Sequence, residues 1–275
     1  TQLPSLNNNQ LRDHVIKFEL YKEKQKKPEI IDEGKVHIKD SVSKFKMKEN
    51  GDFLLLNAKD HDYIKILFSE KDFEFISNHI SNIDNRFSRR IIWGNLWQMV
   101  RDDILCPIKF LTLIKKHLNR ELDITVCQSQ MISNAIFTIK NFLSDDNTDN
   151  WSNTFFKFAL EDLKKNSGSV ERKLTFFDLL INVAINNNAL SELKEILDGK
   201  LIINNLKIDQ DKRWKIIFRI SAYNFSDPIK LIEKEKKDDL SDLGSKKSFL
   251  AFSTIPDKKL KEKNWEIFVK NKNKF

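Results

Sequence analysis

At 275 residues, with 40% hydrophobic and 32% charged side chains, the chain can hold one large domain or two smaller ones around an ample core. No apolar run reaches the roughly 18–20 residues that span a bilayer, and two cysteines, Cys106 and Cys127, are too few for a disulfide framework. The net charge of +8 invites nucleic acid, but the lysines are spread among acids without an aromatic-basic motif, so neither nucleic acid nor a membrane is an expected partner.

No signal peptide is visible and the first residue is Thr1, as expected for an excised fragment with reduced thiols, working in the cytoplasm. Residues 1–10 are polar and read as a linker or frayed end. From 14 to 21, Ile16, Phe18 and Leu20 alternate with Lys17, Glu19 and Tyr21, the two-residue period of a half-buried strand. A charged turn follows at 22–28. Val36 and Ile38 predict a second strand, 43–47 a weaker third, 53–56 a short buried one, and 63–68 a last alternating one. Residues 11–68 thus read as a small antiparallel β-sheet or sandwich.

From Ser69 the period changes to that of helices. Ser69 with Asp72 marks a helix start. Helices are expected over 70–82, 86–102, 107–119, 123–143, 150–165, 170–187, 189–198, 209–223, 226–237, 240–252 and 257–272, with breakers such as Ser144-Asp145-Asp146-Asn147, Asn166-Ser167-Gly168 and Asp227-Pro228 between them. Helix pairs succeed each other every ~35–45 residues, the spacing of a helical-repeat array. The fold class is therefore mainly α: a HEAT-like α-solenoid of antiparallel helix pairs over 69–275, preceded by a small antiparallel β-sandwich over 11–68.

Residues able to carry chemistry are sparse. None of the five histidines is followed by Glu and no two stand four apart, so the H-E-x-x-H zinc motif is absent. His117 and Glu121 stand at i and i+4, and read as a surface pair in preference to metal ligands. No glycine brackets a serine as a nucleophile elbow does, and no glycine-rich phosphate loop occurs. Cys106 opens a helix and reads as a small buried or half-buried thiol. Trp93 and Trp97, four apart on an apolar stripe, read as core. Arg101, in Arg101-Asp102-Asp103, reads first as helix-end ion pairing and second as a two-pronged ligand for a peptide carboxylate. Arg213 is either paired or faces a cavity. Arg101 and Arg213 are the two peptide-contact candidates.

RRIIWGNLWQMVRDDIL (89–105) and RELDI (120–124) resemble the first helices of the C-terminal domain of zinc metallo-aminopeptidases of the aminopeptidase N family. LRDHVIKFELY (11–21) and LLLNAKDHDYIKILF (54–68) resemble the opening and closing strands of that family's third, β-sandwich domain. LKIDQDKRWKIIFRIS (206–221), KKDDLSDLG (236–244) and IPDKKLKEKNW (255–265) are similar to later helices in the same order. The resemblance implies a noncatalytic C-terminal region, truncated at its far end, that caps the active site and controls the access and positioning of peptide substrates. It implies zinc, and removal of N-terminal amino acids, in an upstream catalytic domain of the same protein; this chain itself is expected to hold no cofactor. The alternative is a free-standing helical-repeat scaffold for protein partners.

Overall fold

The computed structural model describes Gln2 and residues 10–165 and 168–270. The expected linker over 1–10, apart from Gln2 and Gln10, lies outside the described residues, as do the Asn166-Ser167 part of one break and the helix end expected at 271–272. The chain divides into two compact units, Thr1–Thr138 and Ile139–Phe275.

In the first unit, β1 (His14–Lys24), β2 (Lys27–Ile38) and β3 (Phe53–Leu56) form one antiparallel sheet in the order β2-β1-β3. The segment expected as a charged turn is strand almost throughout. Only Gln25 and Lys26 turn, both with positive φ (51° and 65°), the backbone that two-residue hairpins favour. A register shift at Leu20/Tyr21 puts an extra residue, Ile31, opposite β1. One sheet face carries Tyr21 and Phe53 against Phe75 of the next helix. On the other, Phe18 stacks on Phe45 at 6.1 Å, and Gly51 approaches so closely that a Cβ there would lie 2.6 Å from Leu20.

Two expected strands are corrected. Residues 43–47 are irregular chain laid over the sheet, tied down where Lys48 N donates to Asp32 at 3.2 Å. Residues 63–68 keep their alternating burial, with Ile66 and Phe68 inside, but pair with no strand. Their backbone turns to a helix instead: Ile66 N donates to Asn95 Oδ1 at 2.8 Å and Phe68 N to Met99 Sδ at 3.4 Å. Alternation fixes which side chains are buried, not where the N–H groups go.

The helices of this unit are α1 (Glu70–His79), α2 (Arg86–Arg101) and α3 (Pro107–His117), followed by a π-helical stretch, Val126–Ile132, that runs into α4 (Ser133–Asn141), whose residues 139–141 fall in the second unit. Ser69 and Asp72 close a reciprocal capping box, Asn85 caps α2, and Pro107 sits in the first turn of α3, where its missing N–H costs nothing. In the π-stretch and after it, Ser133 Oγ, Asn134 and Thr138 all donate to carbonyls four or five residues back, which loosens the ordinary ladder.

The second unit contains α5 (Asp145–Lys164), α6 (Val170–Val183), α7 (Asn187–Leu197), α8 (Gln210–Ala222), α9 (Pro228–Asp238), α10 (Asp242–Thr254) and α11 (Lys258–Lys270). α5 begins five residues before the expected start, because Asp145 and Asp146 suit the positive end of a helix better than a loop. Asp162–Arg172 and Phe158–Phe176 show α5 and α6 antiparallel. Three pairs of alternate helices, α1 with α3, α6 with α8 and α8 with α10, meet instead at a stagger of 36–40 residues. His117 bonds Ser77 O 40 residues back, Lys215 meets Asp178 at 37 and Lys247 meets Asp211 at 36. That stagger is the helical repeat the periodicity predicted.

Candidate functional site

The two most distinctive sequence blocks of the first unit meet in space. Arg89 of α2 donates Nε to Glu121 Oε2 (2.9 Å) and Nη2 to Glu121 Oε1 (2.7 Å), while Nη1 reaches the carbonyls of Ile83 (2.8 Å) and Asp84 (3.1 Å). Glu121 Oε1 also accepts from Asp123 N at 2.9 Å. Both side chains are buried, so every strong donor and acceptor of a two-charge cluster is met inside the protein.

His117 and Glu121 are therefore not the surface pair expected. Both are buried and each has other partners. His117 sits between Ser81 Oγ (2.7 Å) and the Ser77 carbonyl (2.9 Å), an arrangement that fixes the proton on Nε2, which donates to the carbonyl, and leaves Nδ1 to accept from the hydroxyl. Burial, and to a lesser degree the charges of Lys116 and Arg120, hold its pKa below the ordinary 6.5.

Trp93 is core, 1% exposed, edge-on to Phe110, and Trp97 packs between Phe110 and Phe137. Cys106 is exposed, not buried or half-buried, because it stands at the N-cap of α3 where the chain turns outward; Cys127 is buried. Arg101, in the last turn of α2, is exposed and makes no ion pair among the described residues. Its neighbour Asp102 is taken by Lys65 (2.8 and 3.0 Å). Behind it the helix closes by Ile104 N to Met99 O and Asp103 N to Val100 O, with Asp103 at φ 59° where glycine is usual.

In the second unit Arg213 is both paired and at a cavity. Nε and Nη2 meet Glu235 at 2.6 and 2.7 Å, and Nη1 donates to the Leu197 carbonyl at 2.9 Å. Its pKa is raised, first by the Glu235 hydrogen bond. The cavity, about 320 Å³, is otherwise walled mainly by Ile196, Leu197, Leu201, Ile203 and Leu206. The adjacent Trp214 is fully buried and donates Nε1 to Asp239 Oδ2 at 2.8 Å, and Asp239 Oδ1 accepts from the hydroxyl of Ser241, the N-cap of α10, at 2.6 Å. Gly244 lies so close that a Cβ would come within 2.5 Å of the Asp239 carbonyl oxygen.

Sequence reading missed three of these groups. Glu19 faces the core: its Oε2 accepts from Tyr21 Oη (2.6 Å) and Ser88 Oγ (2.7 Å), tying β1 to α2, and burial with the Glu19 bond pushes the Tyr21 phenol up. Glu235 hides in a lysine-rich run that looks like a solvated face. Lys173 is 2% exposed and gives its ammonium to the carbonyls of Lys165 and Asn204. Burial of a charge was the signal in each case, and spacing alone does not carry it.

Among the described residues no three His, Cys, Asp or Glu side chains gather as metal ligands, and no helix is long and apolar enough to cross a membrane. Residues 53–274 match a family model described as "ERAP1-like C-terminal domain". Aminopeptidase N of Streptomyces lividans is 22% identical over 218 residues, covering 79% of this chain and 25% of that protein. The chain thus spans about a quarter of that relative's length.

Proposed function

The chain belongs to the ERAP1-like C-terminal domain family, and from that membership we propose that it is the noncatalytic C-terminal region of a zinc aminopeptidase. It would cap the active site of an upstream catalytic domain, limit which peptides enter and position their distal parts. The parent enzyme would remove N-terminal amino acids by attack of zinc-activated water, in the cytoplasm. The observation that carries this reading is the family match over 53–274 in a sequence with no H-E-x-x-H.

The side chains divide the work. The Arg89–Glu121 and Arg213–Glu235 pairs hold each unit's helices in register, which is what a surface that positions peptides requires. Arg101, exposed and without an ion pair among the described residues, would meet a peptide carboxylate with two hydrogen bonds, whereas Arg213 would first have to leave Glu235.

The test is coexpression with the upstream coding region, with zinc content and N-terminal residue release assayed across peptide lengths, for the whole protein, for Arg101→Ala and for a form lacking residues 69–275. Capping predicts a changed length preference in the deletion and a raised KM with little change in kcat in Arg101→Ala. An upstream region without a zinc domain, or chelator-sensitive peptidase activity from these 275 residues alone, would overturn the proposal; the first result would favour a free-standing protein-binding scaffold.

A further inference from the structure

Two rungs of the β1–β2 ladder carry like charges on one face of the sheet. Lys17 stands directly opposite Lys35, and Glu19 directly opposite Glu33. Like charges so placed destabilise a sheet unless something between them compensates. The rung between them, Phe18 with Gly34, puts no side chain on this face, because Phe18 turns to the other side against Phe45. What remains is a hollow of about 240 Å³, lined by both like-charged rungs and by Ala58 and Lys59.

The carboxylates of the hollow do not serve its rung lysines. Glu33 is met by Lys59 at 3.7 Å. Glu19 is 1% exposed, and its Oε2 accepts from Tyr21 Oη and Ser88 Oγ, but its Oε1 is buried with no donor among the described residues. Tyr21 follows Glu19 on this face and Lys17 precedes it, so the oxygen turned from Tyr21 lies on the Lys17 side, towards the hollow. Half-buried Lys17 and its opposite Lys35 make no ion pair among the described residues. The hollow thus asks two things of a ligand: negative charge for the lysines and a proton for a buried carboxylate oxygen.

We propose that this hollow binds inorganic phosphate, with a P–OH donating to Glu19 Oε1 and the Lys17 and Lys35 ammoniums holding the other oxygens. Phosphate keeps at least one P–OH at neutral pH, whereas sulfate, of the same shape, has none. Lysine meets such an anion as a point charge from any side and needs no planar fork. The volume lies below the roughly 300–1,000 Å³ of pockets for drug-sized ligands, which suits a small anion and not a nucleotide. This site lies wholly within the first unit and stands whether or not the parent protein is a peptidase.

The test is calorimetric titration of the 275-residue chain with inorganic phosphate, and separately with sulfate, at pH 7 and constant ionic strength set by chloride. Saturable phosphate binding is expected, with sulfate about tenfold weaker or more. Lysines alone would favour sulfate, the more highly charged anion, so the order of the two reads the Glu19 contact. Lys17→Met weakens phosphate about tenfold or more. Glu19→Gln keeps an oxygen for Tyr21 and Ser88 and sets an N–H donor in place of Oε1, so sulfate then binds at least as tightly as phosphate. A Lys258→Met control, on α11, leaves binding unchanged. No saturable phosphate binding, sulfate as tight as phosphate in the natural chain, or phosphate binding that Lys17→Met weakens no more than Lys258→Met does, overturns the site.

Discussion

Arg89 and Glu121 stand 32 residues apart in sequence and meet through two hydrogen bonds inside the first unit, with Arg89 8% and Glu121 3% exposed. Replacing one partner strands a buried charge. Glu121→Ala is therefore expected to cost about 3–5 kcal/mol, while the paired apolar replacement Arg89→Met with Glu121→Leu costs far less or nothing. Urea unfolding of the three proteins checks this. A double variant as damaged as Glu121→Ala would show that the cost lies in lost shape and not in an unpaired charge.

The second clamp is less enclosed. Glu235 is 1% exposed on its side chain but Arg213 is 29% exposed, so water can soften the loss. Arg213→Ala strands the buried Glu235 carboxylate and is expected to cost about 3 kcal/mol or more, whereas Glu235→Ala leaves a cation that still bonds the Leu197 carbonyl and reaches water, and costs about 1.5–3 kcal/mol. Denaturant midpoints rank the two, and the opposite order would contradict the burial argument.

His117 gives a pH signature with a definite sign. Its folded pKa lies below 6.5, so below that pH the unfolded chain binds the proton more readily than the folded one. Stability is fully present above about 6.5, falls as pH drops through that value, and stops falling once the folded pKa is passed. Asp239 adds a separate acid limb: the Ser241 and Trp214 hydrogen bonds lower its pKa from 3.8, so its contribution is present above that value and fades below it. Stability at pH 5 against pH 8, for the natural chain and for His117→Gln, reads the first limb. An equal loss in both proteins would remove His117 from the account.

Two backbone positions predict opposite outcomes. Asp103 has φ 59° at the end of α2, so Asp103→Gly relieves strain and is expected to stabilise by up to about 1 kcal/mol. Gly244 has no room for a Cβ beside the Asp239 carbonyl oxygen, so Gly244→Ala is expected to destabilise by about 1–3 kcal/mol. Thermal unfolding of both tests the geometry, and a stable Gly244→Ala would show that α10 can shift away from Asp239.

The helical part of the fold was legible because each helix has a wide apolar stripe and its own punctuation. Ser69 with Asp72, Asn85, Pro107, Asp209 and Asp227-Pro228 all act at helix starts. The sheet was half legible. β1 and β3 announce themselves by apolar residues, but β2 runs through charged residues because its outer positions face water, and 63–68 has the look of a strand while its N–H groups bond to α2. The candidate residues were the least legible. Arg101 and Arg213 look alike in sequence, each an arginine in a helix beside acids, yet one is open to solvent and the other is clasped by Glu235.

Composition and periodicity by themselves determined the mainly helical class, the order of the eleven α-helices among the described residues and the repeat length, since those depend on local capping and on which face each segment must bury. Tertiary structure alone decided which charges are partners. Glu19 finds Ser88 69 residues away, Arg89 finds Glu121, Arg213 finds Glu235, and Arg219 finds the Asn182 carbonyl and the Tyr223 ring. A charge near a surface is held by water and needs no particular neighbour, but a buried one is stable only where the fold brings up its counterpart, and no local pattern records where that will be.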